Sequence, residues 1–255
     1  MLPFLLYRNF LIPPYIYLIK NNILIGGLGC SVTLLFLHRS GVFTMSADYK
    51  TVGSEASDEF TEKRSRFIGY CKPVKNEQEA VAFINEKRSQ HWDARHNVYA
   101  YSLREGNIKR YSDDGEPSGT AGMPVLDVIL KNEVFDVCVV VTRYFGGVLL
   151  GTGGLVRAYS QAAKLALEAG GVILMENCAV CSLNCTYNQY GKAAAIIAEH
   201  SSGTDDVIYG ADVTIKFHIK PSNLPALEKK LADATAGEAK IKQEKEGFFP
   251  SSVFF

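Results

Sequence analysis

The chain has 255 residues, 27 of them basic and 27 acidic, and 47% of it is hydrophobic. That is enough apolar material for a proper core in one large or two ordinary domains, and it excludes a disordered tail. The first 44 residues hold Arg8, Lys20 and Arg39 and no acid, so the remainder is mildly acidic. Any nucleic-acid contact must come from a local patch rather than a global field.

Residues 1–44 are rich in Leu, Ile, Phe and Tyr, with an uncharged run from Ile23 to Leu37. That run falls short of the roughly 20 residues a spanning helix needs, and Pro13, Pro14 and three internal glycines interrupt the region. Composition changes abruptly at Met45, which reads as the natural start of a cytoplasmic protein. The preceding segment is then an upstream translation artefact, with a short hydrophobic anchor as the other reading. A chain starting at Met45 implies no membrane partner.

From Tyr49 onwards the pattern is α+β, with a first domain over 46–175 and a second over 176–255. Arg66 to Val74 reads as a strand, and Asn76 caps a helix running to about Gln90. His96 to Leu103 alternates as a strand, Glu105-Gly106-Asn107 turns, and Ile108 to Tyr111 returns as a hairpin. Gly122 to Lys131 is a short helix with Pro124 in its first turn. Asp136 to Thr142 is a β-branched, buried central strand, and Leu155 to Glu168 is a helix stopped by Gly170. The last 80 residues spell βαββαβ, the order of a split βαβ or ferredoxin-like sandwich.

Two stretches carry chemistry. In YSDDGEPSGTAG (111–122), Asp113, Asp114 and Glu116 crowd three carboxylates onto one turn; they could hold Mg²⁺ or serve as acid and base, and the plain alternative is a solvated turn capping the next helix. In RYFGGVLLGTGGLVR (143–157), Gly146, Gly147, Gly151, Gly153 and Gly154 lead from a strand into a helix. Backbone N–H groups freed there would cradle a phosphate, helped by Arg143, Tyr144 and Arg157. Neither a Walker A loop nor the dinucleotide fingerprint fits the spacing, and tight packing alone is the other explanation. His96, beside Arg95, could act as a base. Arg66, in the run Lys63 to Phe67, sets charge beside an aromatic ring, a nucleic-acid hint. Of the six cysteines, Cys178, Cys181 and Cys185 lie closest together, but strand alternation sets Cys178 on the opposite face from the other two. No Ser/His/Asp or Cys/His constellation is visible.

The motifs SRFIGY (65–70), ARHNVYAY (94–101), SDDGEPSGTAGMPVL (112–126) and VTRYFGGVLLGTGGLVRAYS (141–160) closely resemble the YigZ/IMPACT family. The resemblance spans about residues 48–250 and implies a first domain like domain IV of elongation factor G and related ribosomal proteins, followed by a ferredoxin-like domain. Both are modules that approach RNA or the ribosome. Eukaryotic relatives regulate translation through an additional N-terminal domain that this sequence lacks, and the resemblance establishes no catalytic set. The expectation is therefore a binding protein concerned with translation, contacting RNA or the ribosome without DNA sequence specificity. The competing reading is a Mg²⁺-dependent phosphohydrolase or phosphotransferase with His96 as its base.

Overall fold

The structure, a computed structural model, describes residues 48–251 together with two short antiparallel strands, β1 (Leu18–Ile19) and β2 (Asn22–Ile23). The expectations for the start at Met45 and for the hydrophobic segment before it lie almost wholly outside the described residues. Among those residues, no helix is long and apolar enough to cross a membrane.

Five strands form the first sheet: β4 (Ala56–Glu62), β5 (Ser65–Pro73), β6 (His96–Leu103), β7 (Ile108–Ser112) and β8 (Val137–Tyr144), in the antiparallel order β4-β5-β8-β6-β7. β8 is central because VCVVVT is β-branched and apolar on both faces, and its first seven residues are buried. Its alternation splits the core. Val137, Val139 and Val141 pack under α2 (Gly122–Lys131) and α3 (Thr152–Gly170). Cys138 and Val140 pack under α1 (Glu77–Gln90) on the other face. Asn76 caps α1 as expected, its side chain accepting from Glu79 N at 2.9 Å.

The α3 boundaries differ from expectation. The helix starts three residues early, at Thr152, because Gly153 and Gly154 occupy the first turn, where backbone N–H groups have no intrahelical partner to lose. It ends beyond Gly170, at Gly171, which takes the positive φ of +64° that a helix terminator needs. Gly170 answers to packing instead: a Cβ there would sit 2.5 Å from Cys71 Sγ.

The second sheet is built on β9 (Val172–Cys185), a single strand that runs through the boundary expected at 175/176. With α4 (Tyr187–His200), β10 (Gly203–Tyr209), β11 (Val213–Ile219), α5 (Leu224–Thr235) and β12 (Ile241–Pro250) it completes the βαββαβ order. The strands run antiparallel in the order β10-β11-β9-β12, while β3 (Tyr49–Val52) pairs with the first residues of β9. Cys181 and Cys185 sit in the core of this unit, and Cys178 faces away from it towards Ser202, as alternation requires. Burial pushes the Cys71 and Cys181 thiols up to about 11, so neither is a ready nucleophile at neutral pH.

Candidate functional site

Register assembles the site. Phe67 on β5, Arg143 on β8 and His96 on β6 are cross-strand partners in one row, on the face that carries α2 and α3. The YSDDGEPSG loop folds over that row, and Glu116 enters beneath it. Arg143 Nη1 donates to Glu116 Oε1 at 2.5 Å, and the Tyr159 hydroxyl of α3 donates to the same oxygen at 2.8 Å. Side-chain exposure is 6% for Arg143 and 4% for Glu116. Burial and the adjacent carboxylate push the Tyr159 hydroxyl far above the ordinary tyrosine range, so it remains a donor. The guanidinium also lies 5.4 Å from the Phe67 and Phe145 ring centres, and Nη2 reaches Ser65 Oγ at 3.4 Å.

His96 completes the group. Its Nδ1 donates to the Asp114 carbonyl at 2.8 Å, and its Nε2 lies 3.7 Å from Glu116 Oε1. His96, Glu116 and Arg143 line the floor of a cleft of about 440 Å³. Phe145, Leu149, Leu150 and Leu155 wall it, and Arg95, Gly151 and Thr152 stand at its edge.

The three clustered carboxylates do not converge. Asp113 accepts from Gly119 N, Ala121 N and Gly122 N at 2.9, 3.1 and 2.8 Å, so it anchors the loop and the start of α2. Asp114 accepts from Arg88 Nη2 at 2.9 Å and Asn97 N at 2.6 Å. Glu116 is taken by Arg143. Among the described residues no group of three or more His, Cys, Asp or Glu could hold a metal ion, and these residues do not fit the Mg²⁺ site that the sequence suggests. Asp113→Ala is expected to cost about 1–2 kcal/mol, the scale of a lost helix cap, measured as a shift in the denaturation midpoint.

The glycine-rich stretch also divides. Gly146 spends its N–H on Ser65 Oγ at 3.2 Å, and a Cβ on it would lie 2.0 Å from the Arg64 carbonyl carbon, so packing explains it rather than anion binding. Gly147 and Gly151 take positive φ, +82° and +72°. Gly153 and Gly154 lie in the first turn of α3 and leave its N–H groups open. Arg157 is exposed and lines a separate groove of about 210 Å³ with Lys63, Glu62 and Gly154, so it does not share a cradle with Arg143.

Two expected members lie on the opposite sheet face. Arg66 is paired with Glu59 at 2.5 Å. Tyr144 donates to Asp93 at 3.1 Å and accepts from His91 Nδ1 at 2.9 Å, while Tyr70 donates to His91 Nε2 at 2.6 Å. Burial holds the His91 ring below the usual histidine range, neutral between the two phenols. The alternation of β8 already separates residues 143 and 144. Helical periodicity places Tyr159 on the apolar face of α3 without marking its hydroxyl as part of a site, and no sequence signal singles out Ser65.

Two family models match the chain: the Impact N-terminal domain over residues 63–167, which takes in the whole site, and a domain of unknown function (DUF1949) over 183–238. "IMPACT family member YvyE" of Bacillus subtilis is 36% identical over 200 residues, covering 78% of this chain and 92% of the relative. "IMPACT family member YigZ" of Escherichia coli is 32% identical over 182 residues, covering 70% and 89%. A solved structure titled "Crystal structure of an hypothetical protein" aligns with a TM-score of 0.50 at 29% identity, over 78% of this chain and 98% of the other.

Proposed function

Because this chain belongs to the IMPACT family, we propose that it is an RNA- or ribosome-associated protein acting on translation in the cytoplasm. Its phosphate contacts are made at the surface where the β4–β5 turn meets the β8–α3 loop. One observation carries the reading. Arg95 stands beside the exposed Phe145 at the cleft edge, Lys63 and Arg157 line the groove at Gly154 in the first turn of α3, Arg64 lies against Gly146 of the β8–α3 loop, and none of the four has an ion-pair partner among the described residues. Free cations beside an aromatic ring and a helix N-terminus are what a nucleic-acid backbone with unstacked bases requires.

The hairpin tip supports this. Lys63 and Arg64 form its two-residue turn at φ +44° and +66°, a conformation that normally selects Asn-Gly. Two long cationic side chains held there cost stability and project into solvent, the pattern of a turn retained for its surface rather than its fold. Arg143, by contrast, is an interior residue, and its removal reports on folding.

The test is salt-titrated co-sedimentation of the full chain with ribosomes and with free RNA, beside Lys63→Asn/Arg64→Gly. This variant is expected to be more stable by about 1 kcal/mol, since both new residues suit the turn. It is also expected to bind more weakly, with a salt slope shallower by about 1 for each phosphate that goes unneutralised. Unchanged affinity and slope would remove the proposal.

A further inference from the structure

We infer that the face of the second sheet turned away from α4 and α5 binds the backbone of single-stranded RNA through Lys216, Lys242 and Lys245. Register sorts the side chains of this sheet by face. Ile215, Phe217 and Ile219 of β11 pair with Leu183, Cys181 and Ala179 of β9, and all six lie in the core that the two helices cover. The residues between them point the other way. Lys216 of β11 and Lys242 of β12 are both cross-strand partners of Ser182, one on each side of β9. In the next row His218 and Lys245 flank Val180 in the same manner.

A bulge makes this grouping. Lys242 and Lys245 are three residues apart, and in a regular strand of period two they would point to opposite faces. The register of β12 shifts between Gln243 and Lys245, so Glu244 is the extra residue and both lysines come to the face away from the helices. Glu246 then falls opposite Ala179 of the core, where it accepts from Asn177 Nδ2 at 3.2 Å. Lys242 and Lys245 are exposed, Lys216 is half-buried, and none of the three has an ion-pair partner among the described residues. The acids at the margin are engaged elsewhere: Glu176 with Lys220 at 2.8 Å, Asp205 with His218 Nδ1 at 2.7 Å, and Asp206 with the backbone N–H of Val207.

The chemistry of the face narrows its partner. Protein interfaces are depleted of lysine and centre on aromatic or aliphatic anchors. Neither the Lys216 row nor the Lys245 row carries an exposed large hydrophobic residue. They carry free cations on an open four-stranded sheet, with the rings of His218 and Phe249 stacked at 3.9 Å beside them. Cations that track phosphates next to flat rings are the make-up of a single-strand surface, and an open sheet is a platform on which unpaired bases lie.

The assignment to RNA rests on the reading proposed above and adds a second contact, on the other domain. The experiment is fluorescence anisotropy of the full chain with a labelled single-stranded RNA, titrated with salt, for wild type, Lys242→Gln/Lys245→Gln and Lys63→Asn/Arg64→Gly. Loss of two phosphate contacts is expected to make the salt slope shallower by about 1.4 and to weaken binding about 25-fold at about 0.1 M salt. Both lysines are exposed and without ion-pair partners, so the denaturation midpoint should stay where it is. Unchanged affinity and slope in the double lysine variant, beside a loss in the hairpin variant, overturn this inference and leave the proposed function standing. Absence of RNA binding by the wild type overturns both. Poly-glutamate is titrated in parallel: tighter binding than RNA, lost in the double lysine variant, would assign the face to an acidic protein and overturn the inference.

Discussion

Replacing Glu116 by Ala is expected to destabilise the protein by about 3–5 kcal/mol, because it strands Arg143 in the interior. The guanidinium has 6% side-chain exposure, its Nη2 contact to Ser65 is long at 3.4 Å, and its Nε is already unpartnered. The Tyr159 hydroxyl loses its acceptor in the same step. Chemical denaturation measures the effect as a shift in midpoint at constant slope. The double variant Glu116→Ala/Arg143→Met should recover a large part of the loss, since it removes the stranded charge and returns an apolar stem of similar length. A midpoint within about 1 kcal/mol of wild type for Glu116→Ala would show that water solvates Arg143 and that the pair is not sealed.

Gly69→Ala is the second large effect, and it tests the close seat of α3 on the first sheet. A Cβ at Gly69 would stand 2.3 Å from the Ala162 carbonyl oxygen and 3.1 Å from Ala166 Cβ. Neither obstacle is a flexible side-chain end, so the helix must lift from β5. Overpacking of this kind costs about 1–3 kcal/mol, and backbone contact on the helix side favours the upper end. Because α3 also carries Arg157 and the open N-terminal turn, the same substitution should weaken RNA or ribosome binding at the basic surface. Wild-type stability for Gly69→Ala, by the same denaturation measurement, would mean that the sheet and helix have slack the packing does not show.

Much of the fold is legible residue by residue. Asn76 followed by Glu79 marks the start of α1 because a side-chain acceptor is needed where backbone donors are unpaired. Pro124 marks the first turn of α2 because it has no donor to waste there. DVCVVVT reads as the middle of a sheet because both of its faces are apolar. The order βαββαβ follows from alternating periods of two and 3.6. The start of α3 is not legible in this way, because glycine is a poor helix former in an interior and its low cost in a first turn depends on where that turn falls.

Most of the elements, their order and the family resemblance follow from local spacing and composition. Which charges meet is settled by the packed sheet. Glu116 and Arg143 are 27 residues apart, and nothing local says that the carboxylate closest to a metal-like cluster is instead neutralised by a strand arginine. Register does: the pairing of Phe67, Arg143 and His96 across three strands sets them on one face, and the Asp113 and Asp114 side chains are drawn off to backbone donors and Arg88. Coulomb and hydrogen-bond energies fall off within a few ångströms, so a charge acquires its role from its neighbours in space, and those are assigned only when the sheet closes.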